Sequence, residues 1–167
     1  VLDWLETQAP AARTLLVGDR HGALATVLAP RQRTTVLDRA TSRLATAANL
    51  SRNGLDEGGL RVRGELEPTP ADHDLILMKL PRSNDLLQLQ LRSLVAWAPA
   101  GTTVVAGVMA TRLSSGAIKL FQRILGPVTV SRAARKARLL HATVGAPQSP
   151  AEPRALAGPE GLNLLSW

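Results

Sequence analysis

Two stretches carry residues whose types and spacing could do chemistry. The first is Gly18-Asp19-Arg20-His21-Gly22, with an acid, Asp38, closing the next apolar stretch. A glycine-bounded turn between a strand and a helix can offer backbone N–H groups to an anionic cofactor, and an acid closing the following strand can accept ribose hydroxyls. Only two glycines are present, however, and Asp19, Arg20 and His21 are bulky where a ligand would need close backbone approach. A tight turn and a surface acid are the plainer readings. The second stretch is Lys79-Leu80-Pro81-Arg82, which ends the apolar run Leu75 to Met78. Ligands of an open parallel sheet bind beyond the carboxyl ends of its strands, so Lys79 to Asn84 is the first place to look for a catalytic group.

Other chemistries are excluded or thin. Cys is absent, which removes disulfides, thiolate-bound zinc and a thiol nucleophile, and is compatible with a reducing compartment. His21, His73 and His141 lie far apart without a carboxylate at metal or triad spacing, so no metal site is expected. Trp4, Trp97 and Trp167 are too scattered to form a base-stacking platform. No apolar run approaches a membrane span and no signal peptide is evident, so the chain reads as cytoplasmic with no membrane partner. It begins at Val1 rather than Met, which leaves room for it to be a piece of a longer protein.

The charge is +7 over 167 residues, and its distribution matters more than its size. Between Leu86 and Ala151 there is no Asp or Glu, while Arg92, Arg112, Lys119, Arg123, Arg132, Arg135, Lys136 and Arg138 fall within that span. Such asymmetry favours a polyanionic partner, RNA or DNA, and the competing reading, an arginine-rich composition without function, stands level with it on charge alone. Lys79 and Arg82 extend the basic set into the central loop.

These groups need elements to position them. Leu75 to Met78 is an unbroken apolar run that no helical stripe explains, and it reads as the central buried parallel strand. Before it, Leu2 to Gln8 reads as a short helix closed by Pro10, Thr14 to Val17 as a strand, and Ala23 to Ala29 as a helix. Thr34 to Leu37 follows as a strand and Ala40 to Leu50 as a helix, with Leu44, Ala47 and Ala48 at helical spacing. Leu60 to Arg63 is a weak strand and Glu65 to Asp72 a loop. After the centre, Ser83 or Asn84 caps a helix to Trp97 that turns Leu87, Leu91, Leu94 and Val95 to the sheet. Thr102 to Ala106 is a strand, and Ser114 or Ser115 starts a helix carrying Ile118, Leu120, Phe121, Ile124 and Leu125, stopped by Gly126-Pro127. Val128 to Val130 and Ala137 to Thr143 close the pattern, with too few residues between them for a crossover, so they pair antiparallel. Alternation of this kind predicts an α/β doubly wound, mostly parallel seven-stranded sheet with an antiparallel last strand and helices on both faces. Residues 1–145 form this domain, and the proline spacing of 146–167 reads as a tail or linker.

Several strings together resemble one family. Gly18-Asp19-Arg20-His21-Gly22-Ala23-Leu24, Asp38, and Leu44-Ala45-Thr46-Ala47-Ala48-Asn49-Leu50-Ser51-Arg52-Asn53-Gly54 are similar to the amino-terminal half of bacterial ribosomal RNA guanine-N2 methyltransferases of the RlmG and RsmC type. So are Leu77 to Arg82, Leu86 to Arg92, Leu120-Phe121, Leu125 to Val128 and Lys136 to Leu140. The likeness spans residues 13 to 145 in order, and the large-subunit (RlmG) type is the nearer.

The resemblance implies a Rossmann-like class I methyltransferase domain duplicated within one protein. The carboxy-terminal copy would bind S-adenosylmethionine and methylate guanine N2, and this chain would be the other copy. Catalytic copies use an Asn-Pro-Pro-aromatic loop to accept hydrogen bonds from the guanine amine and to stack on the base. Lys79 stands where that Asn would be, and an ammonium has three donors and no acceptor. Leu80 and Arg82 replace the first proline and the aromatic residue. The expectation is therefore a catalytically degenerate copy with no catalytic residue and only vestigial cofactor positions at Gly18, Asp19, Gly22 and Asp38. Such a copy would help hold ribosomal RNA through Lys79, Arg82, Arg112, Lys119, Arg123, Arg132, Arg135, Lys136 and Arg138, beside an intramolecular catalytic domain following the tail. A working small-molecule or nucleotide-binding domain using Gly18 to Gly22 and Asp38, and a purely structural partner of the catalytic domain, are the alternatives.

Overall fold

Leu75–Lys79 is the strand on which the sheet is centred, and its first four residues are buried. Leu75 and Leu77 face one side and Ile76 and Met78 the other, which is why the run is apolar without alternation. The computed structural model describes residues 2–7, 11, 13–31, 33–38, 40–55, 60–64, 72–145, 154–157 and 163–166. In chain order the elements are α1 (Leu2–Leu5), β1 (Arg13–Val17), α2 (Ala23–Leu28), β2 (Arg33–Leu37), α3 (Ala40–Arg52), β3 (Leu60–Arg63), β4 (Leu75–Lys79) and α4 (Asn84–Trp97). There follow β5 (Thr103–Met109), a 3₁₀ turn (Ala110–Arg112), α5 (Ser115–Leu125), β6 (Thr129–Val130), β7 (Ala137–Thr143), β8 (Arg154–Ala157) and β9 (Asn163–Ser166).

The main sheet has seven strands in the order β3-β2-β1-β4-β5-β7-β6. The first five run parallel, and β7 is antiparallel to both β5 and β6. This is the fold expected from the alternation of apolar runs. Its register matters for the site: Val17 lies opposite Met78, Lys79 opposite Gly107, and Met109 opposite Ala137. Because β7 runs backwards, its first residues stand at the same edge as the last residues of β1, β4 and β5.

Each face of the sheet carries its own core. On one, Leu87, Leu91 and Leu94 of α4 and Phe121 and Leu125 of α5 pack on Leu15, Val17, Ile76, Met78 and Val104. On the other, Ala25, Leu28 and Leu50 pack on Leu16, Val36, Leu75, Leu77 and Val105. Burying one such leucine is worth about 1.5–3 kcal/mol, so neither layer is dispensable. Serines start α4 and α5: the Ser83 hydroxyl accepts from the Leu86 N–H and that of Ser114 from the Ala117 N–H. Gly126, at φ 97°, ends α5.

Three expectations change. Leu44 is 76% exposed and Ala48 is also exposed, so the stripe expected of them is not the packed face of α3. Thr46 and Leu50 are buried instead, because α3 presents Thr46 to Gly22 of the preceding turn. Strand β5 runs on to Met109 rather than stopping at Ala106, since Lys79 and the whole of β7 supply ladder partners there. Beyond residue 146, β8 and β9 pair antiparallel in a two-stranded sheet of their own. The end of the first expected helix at Gln8 to Pro10, most of the loop from Glu65 to Asp72 and the rest of the tail lie outside the described residues.

Candidate functional site

At the carboxyl ends of β1 and β2 the chain is tied to itself. Gly18 leaves β1 at φ 73°, its N–H donating to the Leu37 carbonyl at 3.0 Å. The Asp19 carboxylate accepts from the Leu24 and Ala25 N–H groups at 3.1 and 2.9 Å, holding the first turn of α2. Burial pushes the Asp19 carboxyl above its ordinary value; the two N–H donors and His21 pull the other way, and the neighbouring Asp38 charge adds to the rise. The Arg20 N–H donates to the Asp38 carboxylate at 2.6 Å, and the His21 N–H returns to the Asp19 carbonyl at 2.7 Å. That three-residue turn sets Arg20 at φ 60°, an uncommon setting for a residue with a Cβ. Asn49 then donates its side-chain amide to the His21 carbonyl at 2.6 Å.

Gly22 completes the closure. It sits at φ 74°, and a Cβ there would lie 2.7–2.9 Å from Thr46 side-chain and Cα atoms. The glycine therefore serves the packing of α2 on α3, a reason of shape rather than of ligand approach. Asp38 is buried at the end of β2, where an acid can meet ribose hydroxyls, but in this chain it binds the loop's own backbone. Sequence reasoning missed Asn49 and Thr46 as parts of this loop. Their only signal was polar character three residues apart on the side of α3 opposite Leu44, Ala47 and Ala48.

The β4 loop is built differently. Lys79 is exposed, and its Cβ and carbonyl oxygen lie 3.9 Å from where a Gly18 Cβ would stand, so it borders the closed turn. The Leu80 N–H donates to the Gly107 carbonyl at 3.0 Å, which anchors the loop to β5. Arg82 is exposed one residue before the Ser83 cap. The loop thus sets two cations at the sheet's carboxyl edge.

The rest of the basic set divides. Arg112 ends the 3₁₀ turn after β5, Arg132 follows β6, and Arg135 and Lys136 join the strand pair at the start of β7; the topology brings all four to the edge where Lys79 and Arg82 stand. Arg138 lies within β7 opposite Val108 and is half-buried. Lys119 and Arg123 are on α5 instead, and Arg123 donates to the Gln88 side chain of α4 at 2.7 Å. Arg135 and Lys136 are the central pair of a tight reverse turn, at φ 48° and 63°.

The remaining candidates are structural. His73 is buried beside Asp72 at 3.8 Å, and His141 is stacked obliquely on Trp4 with ring centroids 5.3 Å apart. Burial lowers the His141 pKa. Among the described residues no group of three or more His, Cys, Asp or Glu could hold a metal, and no helix is long and apolar enough to cross a membrane. Trp4, Trp97 and Phe121 all pack on the two cores, which leaves the carboxyl edge without a Phe, Tyr or Trp ring among the described residues. Trp167 lies outside them.

Comparison with known proteins follows this geometry. The RLMG N-terminal domain family matches residues 1–146. The "Ribosomal RNA large subunit methyltransferase G" of Streptomyces griseus is 40% identical over 141 residues, covering 84% of this chain and 36% of the relative. Its namesake from Klebsiella pneumoniae is 40% identical over 135 residues, covering 81% and 36%. The chain therefore spans about a third of the length of the curated relatives it matches. Among solved structures, the T. thermophilus 16S rRNA methyltransferase RsmC, in complex with AdoMet and guanosine, superposes with a TM-score of 0.62 at 18% identity, covering 96% of this chain and 43% of that one. The N-methyltransferase NodS from Bradyrhizobium japonicum gives 0.61 at 17%, covering 85% and 90%. At such identities these likenesses show the fold, that of class I methyltransferases.

Proposed function

We infer the function from the premise that the chain belongs to the RLMG N-terminal domain family: it is the non-catalytic copy of a methyltransferase fold, and it helps a catalytic copy hold ribosomal RNA. The parent would be an S-adenosylmethionine-dependent ribosomal RNA methyltransferase acting on guanine N2 in the cytoplasm. Its catalytic, cofactor-binding domain would follow the tail beyond residue 145. The observation that carries this reading is the state of the carboxyl edge. The turn where a cofactor would lie is filled by bonds of Asp19, Asp38 and Asn49 to the loop's own backbone, and Lys79 stands beside it.

Transfer of a methyl group to an exocyclic amine needs an acceptor that orients the amine and an environment tolerant of a sulfonium. An ammonium at Lys79 supplies neither, since it only donates and repels positive charge. What remains at the edge is a set of cations suited to phosphate. The competing reading, a working nucleotide site at Gly18 to Gly22 with Asp38, would have a ribose hydroxyl share the Asp38 carboxylate with the Arg20 N–H that it already accepts at 2.6 Å.

Calorimetric titration of this chain with S-adenosylmethionine is the test, and no heat of binding is expected at micromolar ligand. Saturation in that range would move the nucleotide-site reading ahead. In parallel, the chain should retain a ribosomal RNA fragment at low salt and release it as salt rises, as counterion release requires.

A further inference from the structure

The Arg135–Lys136 turn is unusual for its residues. Ala134 and Ala137 exchange both backbone hydrogen bonds at 2.9 Å, and the two residues between them both have positive φ. A two-residue hairpin loop with both central residues at positive φ is the turn that strongly prefers Asn-Gly, because a Cβ is disfavoured in that region. Here it holds two long cations instead. The Ala110 N–H also donates to the Lys136 carbonyl at 2.8 Å, so the tip is pinned to the segment that carries Arg112. Both tip residues are exposed.

We propose that the Arg135–Lys136 turn is a phosphate-gripping tip, in which a conformation unfavourable to its residues is kept because it projects two cations from a rigid β-hairpin onto the RNA backbone. This rests on the RNA-holding reading above and adds the element that does the holding. Strands β4, β5, β7 and β6 are neighbours about 4.8 Å apart, so Lys79 with Arg82, Arg112, the tip and Arg132 span roughly 15 Å of one edge. A row of that length meets several successive phosphates of one RNA strand. Without an aromatic ring along it, the row reads backbone rather than bases. Fixed cations lose less freedom on binding than cations on a mobile loop, which is what the pinned turn provides.

The double variant Arg135→Asn/Lys136→Gly separates this proposal from a merely structural turn, because it installs the residues the turn prefers while removing both charges. Thermal unfolding and fluorescence titration with a labelled stem-loop of ribosomal RNA would be measured on this chain and on the variant. The variant should melt higher by roughly 3–6 °C. Its affinity for the stem-loop at about 0.1 M salt should fall at least about tenfold, with a salt slope shallower by about 1.5–2. Arg135→Lys, which keeps the charge, should retain most of the affinity. A variant that melts higher yet binds with unchanged affinity and slope overturns the gripping tip and leaves the RNA-holding reading standing. A variant that melts lower overturns the premise that these residues are ill-suited to the turn. Failure of the unsubstituted chain to bind the stem-loop at low salt overturns both readings together.

Discussion

The two halves of the sheet's carboxyl edge treat charge in opposite ways. At the β1–β2 end the acids Asp19 and Asp38 turn inward, each accepting backbone N–H groups of the loop they belong to or face. At the β4–β5–β7 end, Lys79, Arg82, Arg112, Arg135 and Lys136 are exposed, the last three on a segment with no acid from residue 86 to 151. The same topological position, the mouth of a doubly wound sheet, thus holds a sealed half and an open cationic half. On the reading proposed above, the difference teaches that a fold which gives up its cofactor site can still keep a binding edge. The fold still delivers loops to one rim, and their residues decide whether those loops bind each other or something else.

The sharpest way to break the sealed half is at Gly22. Gly22→Ala adds a Cβ within 3 Å of Thr46 atoms, including its Cα, at a φ that disfavours any side chain. A loss of about 2–4 kcal/mol is expected from urea unfolding. A loss under about 0.5 kcal/mol, the range of ordinary surface changes, would mean that α2 and α3 are not held at close contact and that the turn is looser than described.

Asp38→Ala comes next. It removes a buried acceptor from the Arg20 N–H, and about 1–3 kcal/mol of stability should go with it. Titration of this variant with S-adenosylmethionine should still show no binding, since Lys79 is unchanged. The cationic half should behave in the opposite manner. Lys79→Ala with Arg82→Ala is expected to move stability by no more than about 0.5 kcal/mol while weakening retention of a ribosomal RNA fragment at low salt. Equal loss of stability from both pairs of substitutions would erase the contrast between the halves.

How much of this was legible in the sequence follows from what each residue type must do locally. Leu75 to Met78 could only be a strand buried on both faces, and Ser83, Ser114 and Gly126 mark helix ends wherever they stand, so the sheet and its central helices were readable. The packed face of α3 was not. Leu44 lies at the right spacing for a core residue, but the close contact of Thr46 with Gly22 depends on two segments meeting, which no local pattern encodes. The Arg135–Lys136 turn was hidden for the opposite reason. Its residues argue against the conformation they adopt, and the usual Asn-Gly signal is missing. The acids of the closed loop were visible as candidates, but their hydrogen-bond partners were not. A carboxylate that could meet a ribose and one that holds a backbone N–H look identical in sequence.

The smallest effect concerns the ionisation of Asp19. Its carboxyl is held above the ordinary value of 3.8, first by burial and then by the Asp38 charge, against the pull of the Leu24 and Ala25 N–H groups. A raised value in the folded chain means that the folded state keeps the proton where the unfolded chain has released it. The associated stability is therefore fully present below pH 3.8 and is lost as pH rises through the folded value, so at neutral pH the ionised group is a net burden. Asp19→Asn keeps an oxygen for one of the two N–H donors and removes the charge. It should leave stability at pH 7 unchanged or slightly improved relative to the native chain. The advantage should shrink as pH falls toward 4, where the native Asp19 takes up its proton and comes to resemble the amide. Unfolding midpoints of the two chains at pH 7 and near pH 4 test this. Should the variant be less stable at pH 7, with the gap closing in acid, the Asp19 charge is favourable where it sits. The sealed half would then be held together by charge as much as by shape, and the contrast with the cationic half would have to be redrawn.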